Sequence, residues 1–182
     1  AAEHGAQIIN MSLTGEDYSQ AVQDAIDYAY NAGCLLVAAA GNCALGGTGC
    51  TSVNPVMYPA SNSRVLSVAA TDELDRRASF SNYNAFVDIA APGVGILSTE
   101  PHSAAQPLGN YSWRNGTSMA APFVTGVAAL VASELPDATA DEIRQALLQG
   151  VDVVPALKNR LVTGGRLGIR HNDRTGDQRK TG

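Results

Sequence analysis

Asn42 and Ser118 are the two residues whose surroundings first suggest chemistry. Asn42 follows the apolar segment 34–40 and the glycine at position 41. An amide at the carboxyl end of a buried parallel strand lies where α/β proteins bind their ligands. Ser118 stands near the start of a run of small and apolar residues, 117–133. A serine hydroxyl there could act as a nucleophile, because the N–H groups and positive potential of a helix N-terminus stabilise an oxyanion.

Both residues also have ordinary structural interpretations. An Asn in a turn commonly hydrogen-bonds to neighbouring backbone, and Ser and Thr are common helix N-caps. Pro122 agrees with a helix that starts at this point, since a first-turn residue needs no N–H for the helical ladder. Residue type alone therefore leaves two alternatives, a reactive pair and a pair of structural residues.

The segments around Asn42 predict a strand, a helix and a second strand. Residues 7–13 predict a short strand, and residues 17–32 carry apolar side chains at helical spacing. Residues 34–40 are apolar throughout, as expected of a parallel strand covered on both faces. This succession is typical of βαβ units, so we expect an α/β fold.

The segments around Ser118 predict further strands and two helices. Residues 65–70 predict another buried strand, and residues 76–99 predict several short β segments. Residues 117–133 lack a polar face, which predicts a helix buried in the core. Thr139, with Glu142 three residues later, predicts a capping box at the start of the next helix.

The composition of the 182-residue chain excludes several classes of protein. The chain is 45% hydrophobic and 16% charged, which excludes a disordered polymer. Its net charge of −5, without a basic cluster before the C-terminus, argues against nucleic-acid binding. The apolar runs are far shorter than the ~20 residues that span a bilayer, and the N-terminus is not a signal peptide.

Residues 170–182 contain no apolar residue, so we expect a domain over residues 1–169 and a polar, disordered tail.

The chain has three cysteines, and the sequence does not decide whether two of them form a disulfide bond. Cys43 and Cys50 enclose a short glycine-rich loop that could bring them within bridging distance, but two unpaired loop thiols are the alternative. Cys34 opens an apolar run, which predicts a small buried side chain. No cysteine pair has metal-ligand spacing with a nearby His, so a zinc-type site is not expected.

Taken together, the motifs resemble the subtilisin-like serine proteases, or subtilases. The most specific is Gly-Thr-Ser-Met-Ala-Ala-Pro at residues 116–122, which is similar to the block around the nucleophile of that family. Residues 38–42, Ala-Ala-Ala-Gly-Asn, are similar to the block that carries its oxyanion-hole asparagine, and residues 9–13 to the strand that receives substrate. The similarity runs from about residue 5 to residue 169. It implies the C-terminal portion of a peptidase domain, with an incomplete, doubly wound, mainly parallel sheet and helices on both faces.

The resemblance implies a role for each matching residue. Ser118 would attack the scissile carbonyl of a peptide or protein substrate, and the Asn42 side chain would stabilise the oxyanion with support from the Thr117 hydroxyl. One segment would pair with the substrate backbone as an added strand. Small residues would form a wall of the P1 pocket, with a methionine towards its floor. The pairing segment is Ser12, Leu13, Thr14 and Gly15, and the pocket residues are Ala39, Ala40, Gly41 and Met57. Met57 could equally be a gap-filling core residue.

Two further expectations come from the same resemblance. The reaction needs no cofactor, but Asp88 aligns with a carboxylate that can hold structural calcium or a monovalent cation. One carboxylate with carbonyl oxygens is sparse ligation for calcium. Tyr58-Pro59 resembles a cis-proline turn that shapes the P1 pocket. The resemblance also implies that the protein is secreted.

The catalytic base and its orienting carboxylate are missing from the matching pattern. A serine nucleophile of this type needs a His and an Asp, and the blocks that carry them are not found in this chain. His4, His102 and His171 stand in other contexts. We therefore expect the chain alone to be inactive and to need the N-terminal portion of its own domain. A non-catalytic peptide-binding module and a truncated pseudoenzyme are the alternatives.

Overall fold

A computed structural model describes residues 1–101 and 110–168 of the chain. The predicted tail, His102 and His171 lie outside these residues. In chain order, the strands and the α-helices are β1 (Ile8–Met11), α1 (Gln20–Asn31), β2 (Leu35–Ala39), β3 (Val65–Thr71), β4 (Ile89–Pro92), β5 (Ile96–Thr99), β6 (Tyr111–Arg114), α2 (Thr117–Glu134), α3 (Ala140–Gln149), β7 (Asp152–Val153) and β8 (Gly165–Arg166).

Six of the strands form one mainly parallel sheet in the order β1-β2-β3-β4-β8-β7. All pairs are parallel except the last, β7 with β8, which is antiparallel. β5 and β6 form a separate antiparallel ribbon. Every residue of β2 and β3 is buried, as the continuous apolar runs predicted. The fold is therefore the predicted α/β architecture.

The helices cover both faces of this sheet. On one face α2 and α3 pack on alternate residues of β2, β3 and β4, as in the contacts of Val37 and Val68 with the helices' buried side chains. On the other face Ile26 and Ala29 of α1 pack against Leu36 and its neighbours. β1 lies at one edge of the sheet and β7 at the other.

Helix α2 differs from its prediction as a fully buried helix. Only five of its residues are buried, whereas Phe123 and Leu130 are 43% and 59% exposed. By length and hydropathy the helix would suffice to cross a membrane, but its inner side packs on the sheet. The sequence pattern failed here because a uniformly apolar helix shows no polar face, whichever side is covered.

Local signals in the sequence predicted the start of α3 correctly. Thr139 is the N-cap of α3, and its hydroxyl accepts a hydrogen bond from the Glu142 N–H at 3.3 Å. In return the Glu142 carboxylate accepts from the Thr139 N–H at 2.8 Å, which completes the predicted capping box. Cys34 is a free, buried thiol, as its place in an apolar run predicted.

Candidate functional site

Asn42 and Ser118 lie together where the carboxyl end of β2 meets the N-terminus of α2. Thr117 joins the two elements, because its fully buried hydroxyl accepts a hydrogen bond from the Gly41 N–H at 3.1 Å. The residue after Gly41 is Asn42 and the residue after Thr117 is Ser118. One buried threonine therefore fixes the relative position of the two polar residues selected from the sequence.

The Asn42 amide has a defined orientation. Its Oδ1 accepts two hydrogen bonds from Thr117, one from the N–H at 2.9 Å and one from the hydroxyl at 3.1 Å. These bonds assign the oxygen to the inner side and leave the Nδ2 amide as an exposed donor. No described residue accepts a hydrogen bond from this NH₂ group. Asn42 is thus held by the helix start and presents a free donor to the solvent side.

Ser118 lies in the first turn of α2, beside this donor. Its hydroxyl donates to the carbonyl oxygen of Ser12 at 3.1 Å, and its own carbonyl accepts from the Ser12 hydroxyl at 2.8 Å. Among the described residues none accepts a hydrogen bond from the Ser118 N–H. That N–H and the Asn42 amide are two free donors near one hydroxyl, at the positive end of a helix.

Close backbone packing beneath the site sets the position of this helix start. The Gly116 N–H, just before α2, donates to the Gly93 carbonyl at 2.8 Å. The Gly93 N–H in turn donates to the backbone carbonyl of Thr71 at 2.9 Å. A Cβ atom at Gly93 would lie 2.6 Å from the Ala70 Cβ and 2.8 Å from the Gly116 oxygen. Position 93 therefore has no room for a side chain.

The segment Ser12–Gly15 is exposed next to Ser118, but not all of its backbone groups are free to hydrogen-bond to a ligand. The Gly15 N–H donates to the Tyr58 carbonyl at 2.8 Å, and the Tyr58 N–H donates back at 2.7 Å. The pairing of Gly15 with a bound peptide stays a prediction, and in this structure both its N–H and its carbonyl are paired with Tyr58. Gly15 anchors the segment, and Ser12, Leu13 and Thr14 remain exposed beside the site.

The predicted P1-pocket residues are all buried. The Ala39 and Ala40 side chains pack into two different core clusters, so these residues can offer a ligand mainly backbone. Met57 packs against Gly41, since a Cβ at Gly41 would lie 2.6 Å from the Met57 Cγ. Gly41 also has a φ of +103°, which side chains rarely adopt. The peptide bond between Tyr58 and Pro59 is cis.

A chain of side-chain hydrogen bonds supports the site from β1, and the sequence did not indicate it. The Thr125 hydroxyl of α2 donates to the Asn10 Oδ1 at 3.0 Å, and the Asn10 amide donates to the Ser12 Oγ at 2.9 Å. Ser12 then contacts Ser118 as described. These residues stand on two elements far apart in sequence, so no local pattern joins them.

No histidine approaches Ser118 within the described part of the chain. His4 is exposed in a short helical turn before β1, and its neighbours are those of the chain terminus. The site therefore contains a hydroxyl and two amide donors, but no base among the residues described.

Asp88 lies away from Ser118 and is engaged through both of its carboxylate oxygens. Oδ2 accepts from the Ser67 N–H at 2.9 Å, and Oδ1 pairs with the Arg144 guanidinium of α3 at 3.1 Å. Burial raises the pKa of the Asp88 carboxyl above its usual value, and the hydrogen bond from Ser67 and the charge of Arg144 offset this only in part.

Cys43 and Cys50 form a disulfide bond, with their Cα atoms 5.7 Å apart. The Glu16 carboxylate lies beside this bond and accepts hydrogen bonds from the N–H and hydroxyl of Thr51. Because the two sulfurs are bonded to each other, these residues do not form a metal site. The carboxylate instead ties the disulfide loop to the segment after Gly15.

The chain is similar to known proteins of one family. The profile of the subtilase family matches residues 1–176. The chain is 44% identical over 155 residues to a thermophilic serine proteinase of Bacillus sp. (strain AK1), and 43% identical over 154 residues to thermitase of Thermoactinomyces vulgaris. Both alignments cover 85% of this chain.

A solved protease structure from Pseudoalteromonas arctica has the same fold, with a TM-score of 0.76 and 35% identity over 90% of this chain. The matches cover only part of each known protein, namely 34% of the Bacillus proteinase, 50% of thermitase and 49% of the Pseudoalteromonas chain. The chain therefore spans half or less of the length of these relatives.

Proposed function

The chain belongs to the subtilase family, and from that premise we propose that it is the nucleophile-bearing portion of a serine endopeptidase. The observation that carries the proposal is the orientation of Asn42. Thr117 engages the amide oxygen and leaves the NH₂ donor free at the start of α2. A Cβ atom at Gly116 would lie 3.7 Å from this nitrogen and 3.7 Å from the Ser118 N. This arrangement suits an oxyanion hole, in which donors are fixed before negative charge develops on the substrate.

In the proposed reaction the Ser118 oxygen forms a bond to the scissile carbonyl carbon. The Ser118 proton passes to a base, and the carbonyl oxygen takes up negative charge between the Asn42 amide and the Ser118 N–H. When the tetrahedral intermediate collapses, the C–N bond breaks and the base protonates the leaving amine. Water then releases the acyl group from Ser118 by the same steps. No cofactor is needed.

The base must come from outside the described residues. Removal of the base or nucleophile of a subtilisin lowers kcat by about 10⁶-fold, so we propose that this chain is inactive alone. In the proposed enzyme a His and its orienting Asp come from the N-terminal portion of the same domain. That portion would cover the free edge of β1 and the exposed side of α2, where Phe123 and Leu130 lie.

The proposed substrate is an extended peptide that lies along Ser12, Leu13 and Thr14. These residues are exposed beside Ser118, and Gly15 fixes the segment through its paired contacts with Tyr58. Main-chain pairing of this kind binds many sequences. Ala39, Ala40 and Gly41 would contribute backbone to the P1 wall, with Met57 behind Gly41. We further propose a secreted enzyme, because the chain resembles extracellular subtilases.

The experiment uses the full-length protein with a fluorophosphonate probe and a peptide substrate. Labelling should occur at Ser118, and a Ser118→Ala variant should show neither labelling nor turnover. An Asn42→Ala variant should retain KM and lose about 10²–10³-fold in kcat, as measured when one oxyanion donor is removed from subtilisin.

Thr117→Ser is the matched control for that variant, since it keeps the hydroxyl that orients Asn42 and should retain most of the kcat. Folded full-length protein that binds peptide without labelling would be a peptide-binding module. That result would contradict the enzymatic proposal.

A further inference from the structure

A cavity lies beside α3, next to the buried carboxylate of Asp88. Its volume is about 380 Å³, and its lining includes Asn62, Arg64, Asp88 and Arg144. Asp88 and Arg144 are both largely enclosed, with side chains 12% and 27% exposed. Because the family resemblance leads one to expect a bound cation at Asp88, the fit of these residues to a cation can be tested directly.

The residues present do not fit a metal ion at Asp88. Among the described residues that line the cavity, the carboxylate is the only acidic group, and both of its oxygens already have partners, the Ser67 N–H and the Arg144 guanidinium. A metal ion on Oδ1 would stand beside a permanent positive charge in a poorly solvated place, where like charges repel strongly. To admit the metal, Arg144 would have to leave its partner, which would in turn leave a partly buried charge unpaired.

Three polar atoms near Asp88 are buried without a hydrogen-bond partner among the described residues, namely the Ser67 Oγ and two atoms of the cavity lining. The two atoms of the lining are Asn62 Oδ1, an acceptor, and Arg144 Nε, a donor. A neutral group that donates and accepts, such as water, would satisfy both atoms. A metal ion would satisfy only Asn62 and would repel the guanidinium that carries the Nε–H.

We propose that the Arg144 guanidinium serves as the resident cation of this cavity and excludes metal ions from Asp88. The proposal concerns stability and ion dependence, and it does not rest on the chemistry assigned to Ser118. It also predicts that removal of the guanidinium charge converts the cavity into a cation site, because Asp88 would then keep a free oxygen in a cavity whose lining also carries the unpartnered Asn62 Oδ1.

The test measures thermal unfolding of the full-length protein at constant ionic strength, with CaCl₂, KCl or NaCl as the added salt and with an Asp88→Asn variant alongside. Any ion effect that survives in Asp88→Asn belongs to another site and is subtracted. The wild-type protein should show no Asp88-dependent response. Arg144→Met should unfold at a lower temperature and should recover by about 2–4 °C in a saturable manner with at least one of these cations.

Two controls separate charge from packing. Arg144→Lys keeps a positive charge at the position and should show no response to added cations. Arg64→Met removes the other arginine of the lining, whose guanidinium pairs with Asp27 and Asn31 instead, and should also show none. The proposal is overturned if the wild-type protein gains Asp88-dependent stability from a cation. It is equally overturned if folded Arg144→Met responds to none of the three cations, in unfolding or in equilibrium dialysis of Ca²⁺.

Discussion

The two sides of helix α2 have similar apolar character but opposite packing. On the inner side Ala120, Ala121, Val124 and Ala128 are completely buried against the sheet. On the outer side Phe123 and Leu130, the bulkier residues, are exposed. A helix that faced solvent on its outer side would normally be polar there. The inner side of α2 is therefore buried by residues of this chain, whereas the apolar outer side is the kind of surface that another protein segment can bury.

The two sides of α2 also differ in the size of their side chains. Small inner residues let α2 lie close to β3, which brings the helix start and Ser118 to the end of β2. On the other face of the sheet, a groove of about 460 Å³ between β1 and α1 is also lined mostly by apolar side chains. Exposed apolar surface is typical of interaction sites, which supports the contact proposed above between the outer side of α2 and the N-terminal portion of the domain.

The largest effect should come from a change on the inner side at Gly93. In Gly93→Ala the new methyl group would clash with Ala70 and with the Gly116 oxygen, neither of which can move freely. We expect a loss of about 3 kcal/mol in the free energy of unfolding, at the upper end of overpacking costs. Urea denaturation of the full-length protein measures it.

Gly15→Ala is the matched control, because a Cβ at Gly15 meets nothing within 4 Å. It should change the free energy of unfolding by less than about 0.5 kcal/mol. Equal effects at the two glycines would remove the evidence that the inner side is tightly packed.

The next largest loss of stability should come from the outer side of α2. It tests whether the proposed N-terminal portion buries Phe123 in the full-length protein. In the full-length protein Phe123→Ala should cost about 3 kcal/mol if the proposed contact buries the ring, as for a core phenylalanine. If the ring stays in solvent, the cost should remain below about 1 kcal/mol. Phe86→Ala, at another exposed phenylalanine, is the control and should be nearly neutral. Denaturation midpoints compared at equal m-values provide the measurement.

A smaller effect should follow from cutting the link between α2 and β1. Thr125→Val removes the hydroxyl that donates to Asn10 and leaves Asn10 Oδ1 without that partner. We expect a loss of about 1 kcal/mol in stability and a lower kcat with little change in KM, because Asn10 holds Ser12 next to Ser118.

Thr125→Ser keeps the hydroxyl and should restore kcat. If Thr125→Val and Thr125→Ser have the same kcat, the hydrogen-bond chain does not position the nucleophile.

The same comparison shows what the sequence could and could not predict. The buried strands β2 and β3 and the cap at Thr139 were predicted correctly, because each is encoded in a contiguous stretch of residues. The exposure of Phe123 was not, since it depends on which surfaces lie against α2 and not on the composition of the helix. The proximity of Asn42 to Ser118 was expected only through the family resemblance. The pair of Asp88 with Arg144 had no local signal at all, because it joins residues 56 positions apart.

The smallest effect concerns the start of α3, where the contact is local and fully solvated. Hydrogen bonds from Thr139, chiefly from its N–H, lower the pKa of Glu142 below its usual value of 4.5. The folded protein thus binds fewer protons at this carboxyl than the unfolded chain. Its stabilising contribution is complete above pH 4.5 and is lost as the pH falls through the lowered pKa. The difference in melting temperature between wild type and Glu142→Gln should therefore shrink on acidification, since Gln keeps an acceptor but does not titrate. A constant difference from pH 7 to pH 3 would show that the carboxylate charge contributes nothing there.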